Sequence, residues 1–442
     1  RRSRRRSRTC AAGTAAADAG EEAVGRVSQV DAFLALVKGN LGPGVLALPF
    51  AFARTGWALG LPVLLITIVQ GVYTMLVLTE CKRLLARRSV QDLGDVAQFA
   101  LGTWGRRVAD AFVFVVQGGV CVCFVDLIVG NLEEVLTCMS RGQIMLALVP
   151  VLCGAALLRE VSQLGGLNKL GNLAMIVAVV SSMTIAIGRL AEVGVPALAA
   201  AAWPQRPVVD CIMLAASVFF SFEGLGLVLP VEREMREPEA FPKVVLLASA
   251  FLSAIFLGVT FPCGVAFRGE LDTASLMAFL AGRASTNAGF VLLEIANLLV
   301  TLAVVVTFPL QLLPASQILG HWVRRARQRL APGGGSSPAK SGEARRRVPA
   351  WVLQRLVLVA ACVFATMKVS NVALLVSLFG AVGQTGLGLM APLCHLALMI
   401  SGKVPLSKRR VAVDGCIVSF CLVVMVAGSY MAVSDIIAAS AV

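Results

Sequence analysis

The chain has 442 residues, of which 58% are hydrophobic and only 14% charged, and its mean hydropathy is +0.84. A soluble protein of this size carries about a quarter charged residues, so nearly the whole chain must be solvated by lipid or by itself. The net charge of +14 would suggest a nucleic-acid partner in a soluble protein, but here the basic residues sit between apolar segments, a pattern that points to the lipid bilayer instead.

Residues 1–28 are rich in Arg, Ala and Gly and show no apolar periodicity; they read as a disordered basic tail on the cytoplasmic side. The chain starts with Arg rather than Met, as expected of a fragment, so nothing follows from the absence of a signal segment. Residues 29–436 read as one membrane domain. Its first apolar segment, near 30–54, contains Val37-Lys38-Gly39-Asn40-Leu41-Gly42-Pro43-Gly44-Val45-Leu46-Ala47-Leu48-Pro49. Glycine costs about 1 kcal/mol and proline about 3 kcal/mol against alanine inside a helix, so the helix breaks here. Lipid cannot satisfy the freed backbone groups, and such a break is tolerated only against protein or a watery cavity. A helix kinked through small-residue packing is the plainer alternative for this segment taken alone.

Further spans are predicted near 57–81, 108–132, 143–158, 171–189, 208–230, 242–267, 287–320, 350–367, 371–400 and 411–434, making about eleven in all. A short interfacial helix is expected around Asp92-Leu93-Gly94-Asp95. The sixth span carries Phe219-Phe220-Ser221-Phe222-Glu223-Gly224-Leu225-Gly226 and ends at Pro230, so it too should break. An ionisable residue at membrane depth costs about 2.5–3.5 kcal/mol or more, which makes Glu223 a functional candidate. The long eighth span should bend at Pro309 and Pro314. Residues 321–349 read as a flexible cytoplasmic loop.

The basic residues set the orientation. With the N-terminus in the cytoplasm, Lys82, Arg83, Arg87, Arg88, Arg106, Arg107, the run from Arg324 to Arg347, Lys403, Lys408, Arg409 and Arg410 all fall inside, and an odd number of spans puts the C-terminus outside or in a lumen. Breaks in the first and sixth spans divide the first ten into two halves of five with opposite orientation. Interruptions at corresponding places in two halves are the sequence sign of an inverted-repeat transporter. The expected fold is therefore all-α, with a five-plus-five LeuT-like repeat and broken helices one and six.

Twelve cysteines are scattered without a CxxC pair, and the only histidines are His321 and His395, so no metal site is expected. A disulfide from Cys138 to Cys211 or Cys263 is a weak alternative. No HExxH or Gly-x-Ser-x-Gly motif appears, and the chain does not read as an enzyme. No cofactor is expected, and nothing bears on oligomeric state.

The run from Lys38 to Pro49 resembles the first-span signature of the amino acid/auxin permease family. Phe50-Ala51-Phe52-Ala53-Arg54-Thr55-Gly56-Trp57 is similar to its continuation in the vacuolar-type plant and fungal branch. Ser221-Phe222-Glu223-Gly224 followed by Val228-Leu229-Pro230-Val231-Glu232 is similar to the sixth-span signature, and Thr307-Phe308-Pro309-Leu310 and Ser377-Leu378-Phe379-Gly380-Ala381-Val382-Gly383 to parts of the eighth and tenth spans. The resemblance covers roughly residues 30–430 and implies proton-coupled amino acid symport in a vacuolar, lysosomal-type or plasma membrane. Pro43 departs from the pattern, which has a small residue with an N–H there.

Under that resemblance, amide groups at Gly39, Asn40, Leu41, Gly42, Gly44 and Val45 should hold the substrate's α-carboxylate, and carbonyls near Phe220, Ser221, Phe222 and Gly224 its ammonium. Gly42 should need a positive φ. Phe219, Thr307 and Gln117 complete an uncharged pocket that favours small neutral substrates. Glu223 is the first candidate for proton coupling, with Asp126 and Glu294 next; Asn297 lies one turn from Glu294. Lys38 either neutralises a carboxylate or snorkels to the inner surface. His395 reads either as a proton sensor or as a structural hydrogen-bond partner. A sodium-coupled carrier of the same fold and a sensor without net flux share these features.

Overall fold

The computed structural model describes residues 27–42, 44–85, 90, 92–157, 165–204, 206–222, 224–271, 276–281, 287–330, 349–369 and 371–440. The tail before Val27, Pro43, Glu223 and residues 331–348 lie outside them.

The first span is a bent pair. Helix α1 (Gln29–Asn40) starts at a capping box in which the Ser28 hydroxyl accepts from the Asp31 amide at 3.2 Å. It stops at Asn40, and α2 (Gly44–Thr55) leaves at 55° to it. Gly56 ends α2 with φ +72, and a Cβ there would lie 2.6 Å from the Ala202 carbonyl oxygen, so only glycine lets the chain turn at this point. Helix α3 is Trp57–Leu85. The expected interfacial helix and the third span both lie within α4 (Leu93–Val135), as two limbs that meet at a kink where Gly102 leaves helical geometry, φ +75. Next come α5 (Arg141–Ala156) and α6 (Gly165–Ala200).

The sixth span is also in two pieces, α7 (Pro207–Ser221) and α8 (Leu225–Glu234). After α9 (Phe241–Ala266) and the short α10 (Leu276–Ala281), α11 runs as one helix from Asn287 to Leu330, through Pro309 and Pro314. The first ten residues of the stretch expected as a loop, 321–330, are therefore helical. Their charged side chains can extend the helix into water because its exposed backbone needs no apolar face there. Helix α12 is Ala350–Lys368; α13 (Val372–Phe379) passes through a π-turn at Gly380–Gln384 into α14 (Thr385–Ile400); α15 is Lys408–Ser440.

Each of the eleven expected spans falls on one of these helices or helix pairs. Among the described residues nine segments are long and apolar enough to cross a membrane, ten with the bent α1–α2 pair, and α5 is a shorter apolar helix. The most apolar stretch of Val372–Ile400 is 83% buried within the protein and that of Lys408–Ala438 only 22%, so the tenth span lies in the core and the eleventh on its rim. On that rim Val423, Val426 and Tyr430 are exposed, as lipid-facing side chains are.

The two broken spans cross at the centre, α1 packing on α8 and α2 on α7. One end of the bundle carries the basic side chains: Lys82 pairs with Glu232 at 3.1 Å, and Arg83 donates to the Pro238 carbonyl at 2.8 Å. The opposite end is tied by Arg206 to Asp435 at 3.4 Å and by the Trp57 indole N–H to the Leu198 carbonyl at 2.7 Å. Cys138, Cys211 and Cys263 are free thiols, so neither disulfide alternative forms.

Candidate functional site

The first break falls where Gly39, Asn40, Gly42 and Gly44 cluster and the second beside Gly224, and a single side chain then joins them. Asn40, 3% exposed, donates through Nδ2 to the Leu36 carbonyl at 2.8 Å and accepts through Oδ1 from the Gly224 amide at 2.8 Å. It thus closes the first helix on itself and satisfies an amide freed at the second break. The fit is close: a Cβ on Gly224 would lie 2.3 Å from Asn40 Nδ2, and one on Gly44 would lie 2.9 Å from Ser221 Oγ and 3.1 Å from Ser221 Cα. The N-terminus of α2 and the C-terminus of α7 are therefore side by side, a positive and a negative dipole end at one place.

A cavity of about 840 Å³ starts at this crossing and runs to the basic end. Gly39, Asn40, Leu41, Gly42, Gly44, Phe220, Ser221, Gln117 and Thr307 all border it. A Cβ on Gly42 would meet nothing within 4 Å, and Gly42 is not among the glycines of positive φ, so its role is to border open space rather than to supply an unusual backbone angle. The deep walls are apolar, from Val120, Phe124, Met175 and Val304. The charged lining lies toward the mouth, from Asp92, Arg106, Asp110 and His321, with Lys38 exposed.

Several expected site residues stand elsewhere. Val45 is buried behind the lining, its amide donating to the Gly42 carbonyl at 3.2 Å. Phe222 turns away, edge-on to Phe256 at 6.2 Å, because it caps α7 and its backbone (φ −94, ψ 60) has left helical geometry. Phe219 packs on Phe420 at 6.1 Å. Gly224 touches Asn40 rather than the cavity. Asp126 is buried in an ion pair with Arg141, which also holds Glu133 at 2.5 Å, and is not part of the cavity wall. Glu294 is half-buried on α11, also away from the wall, and Asn297 donates to the Asn131 carbonyl at 3.0 Å. Of the three carboxylates read as proton-coupling candidates, the described two are thus remote from the cavity.

Other lining residues escaped the sequence reading. Arg106 pairs with Asp95, with Asp92 at 3.5 Å and with Asp110 at 3.8 Å, tying the two limbs of α4 together at the mouth. Gln311, Gln317 and His321 join the expected Thr307 in lining the cavity from α11, and Arg106 and Asp110 join the expected Gln117 in lining it from α4. The available signal was the recurrence of polar side chains in an otherwise apolar span, which marks a wetted face. Among the described residues no group of three His, Cys, Asp or Glu side chains is placed to hold a metal ion.

The family model described as transmembrane amino acid transporter protein matches residues 25–434. Amino acid transporter AVT3C of Arabidopsis thaliana is 27% identical over 448 residues, covering 92% of this chain and 91% of that protein. Vacuolar amino acid transporter 3 of Saccharomyces cerevisiae is 27% identical over 305 residues, covering 67% of this chain and 42% of that protein. Among solved structures, a Na+-coupled sialic acid symporter in a substrate-bound outward-open state aligns with a TM-score of 0.54 at 15% identity, covering 92% of this chain and 90% of that one. At that identity the likeness is one of fold.

Proposed function

The chain belongs to the transmembrane amino acid transporter family, and from that premise we propose that it is a proton-coupled symporter of small neutral amino acids. The observation that carries this reading is the meeting of the α2 N-terminus and the α7 C-terminus at the deep end of the cavity. Opposite dipole ends a few ångströms apart suit a zwitterion: amides near Gly42 and Gly44 take the carboxylate, and carbonyls of the last turn before Ser221 take the ammonium. The side-chain space beside them is bordered by Phe220, Gln117, Val120 and Thr307, with no charge, which favours a neutral substrate. The charged groups at the mouth keep the exit wet.

The cavity is open at the basic end, and the positive-inside bias supports a cytoplasmic position for that end. The shape is then that of an inward-facing carrier. A vacuolar-type membrane is supported by the yeast relative's name.

Proteoliposomes with an imposed pH gradient and labelled amino acids test this. Uphill accumulation of small neutral amino acids, unchanged when sodium is replaced by choline, is the expected result. Accumulation that needs sodium, or binding without flux, would overturn the coupling or the carrier reading respectively.

A further inference from the structure

A second set of ionisable groups lies away from the cavity, where α3, α14 and α15 meet. His395 on α14 and Asp414 on α15 are 1% and 0% exposed, and His395 Nδ1 is 2.7 Å from Asp414 Oδ2. The Tyr73 hydroxyl on α3 donates to Asp414 Oδ1, also at 2.7 Å. Both carboxylate oxygens are thus occupied. His395 Nε2 is buried without a hydrogen-bond partner among the described residues. The hydrogen bonds of the cluster therefore leave this ring nitrogen unused. An unpaired lone pair beside a buried carboxylate is an acceptor for one proton.

We propose that the His395–Asp414–Tyr73 cluster is the site that takes up and gives back the coupling proton. The inference rests on the proton-coupled reading above. Uptake forms one N–H bond at His395 Nε2 and breaks none in the cluster; release reverses it. The cluster's net charge then alternates between −1 with neutral imidazole and zero with imidazolium, and burial makes the neutral state the one that tolerates apolar surroundings.

The surroundings fit such a role. From α3 the cluster is faced by Tyr73 itself, by Glu80 and by the Cys81 thiol; α14 adds Cys394; α15 adds Arg410 one turn before Asp414. Arg410 pairs with Glu80, and both are at least a third exposed, so the cluster lies about one helical turn below wetted charges at the basic end. Of the other elements packed on α14, α4 keeps its nearby charges Asp95, Arg106 and Asp110 in the ion pairs of the cavity mouth, and the Asp210 carboxylate of α7 lies at the opposite end with Arg54 and Arg206. Helix α14 also reaches the substrate site. Just before it, Gln384 donates to the Phe222 carbonyl beside the second break at 3.4 Å, and Leu387 lines the cavity. From Gln384 to His395 is about 16 Å along one helix, so a change of charge at one end bears on the break at the other.

The test uses the full chain in proteoliposomes, comparing wild type with His395→Gln and Tyr73→Phe. Proton-driven accumulation and substrate exchange at equal pH on both sides are measured, the latter across a pH series. The expected result is loss of accumulation in His395→Gln with exchange retained. If wild type itself fails to accumulate substrate on a proton gradient, the proton-coupled reading falls. If wild type accumulates and His395→Gln accumulates equally, the inference alone is overturned. If His395→Gln loses both activities, Tyr73→Phe decides. Tyr73→Phe removes a donor to Asp414, so the pH midpoint of exchange should differ from that of wild type. An unmoved midpoint overturns the proposal.

Discussion

Asn40 holds two chain breaks with one amide group, and its loss should be felt in both stability and binding. Asn40→Ala leaves the Gly224 amide unpaired in a buried place, at a cost of about 1–3 kcal/mol. The variant should unfold at lower temperature in detergent and lose substrate affinity together. Gly42→Val should behave differently. Its Cβ enters open cavity, so thermal stability should stay near wild type while affinity falls. Equal affinity in a stable Gly42→Val protein would move the substrate away from the first break. The Gly39–Gly44 cluster was legible in the sequence because helix-breaking costs are local to each residue. Asp110 and His321 were not, because charges near the ends of apolar segments are ordinary, and only the packing of α4 against α11 turns theirs toward a shared space.

Helices α13 and α14 are joined by a π-turn pressed onto α7. A Cβ on Gly380 would stand 2.0 Å from the Ala216 carbonyl oxygen, a backbone atom that cannot swing aside. Gly380→Ala should therefore push the tenth span off α7, lowering the melting temperature and abolishing transport; a thermal scan with an uptake assay checks both. The positions of the spans follow from runs of apolar residues, and their pattern was readable to within a few residues. Where they bend was readable only in part. The interfacial helix and the third span stand as two helical limbs, as expected, because Gly102 at φ +75 breaks the helical path between them. The two prolines expected to bend the eighth span lie inside the one helix α11, since each removes a single backbone bond, which neighbouring turns outlast. The removal of Phe222 from the site belongs to the same class: after Ser221 its direction depends on how α7 and α8 are offset, which no local pattern states.

At the scale of the whole molecule, charge bias and topology make one statement about sidedness. With the protein in sealed, right-side-out vesicles, an impermeant maleimide applied from outside should reach Cys138, which is exposed between α4 and α5, and should fail to reach Ser401→Cys at the basic end. Labelling of both from one side would break the model of an odd number of spans with a cytoplasmic basic end. The two-halves arrangement was legible from the matching breaks, whereas the depth of the cavity and the side to which it opens required the packed helices.

An open cavity of about 840 Å³ has a hydration cost of its own. Liquid water takes about 30 Å³ per molecule, so the space holds on the order of tens of waters that must leave when the mouth closes. Closing is then coupled to the chemical potential of water. A polymer too large to pass Arg106 and His321 lowers that potential outside without entering, and so pulls the carrier toward its closed form; glycerol, small enough to enter, does not. The carrier is in this sense an osmotic device as well as a chemical one, and its reopening should slow as polymer concentration rises, the more steeply the larger the volume of water that must re-enter.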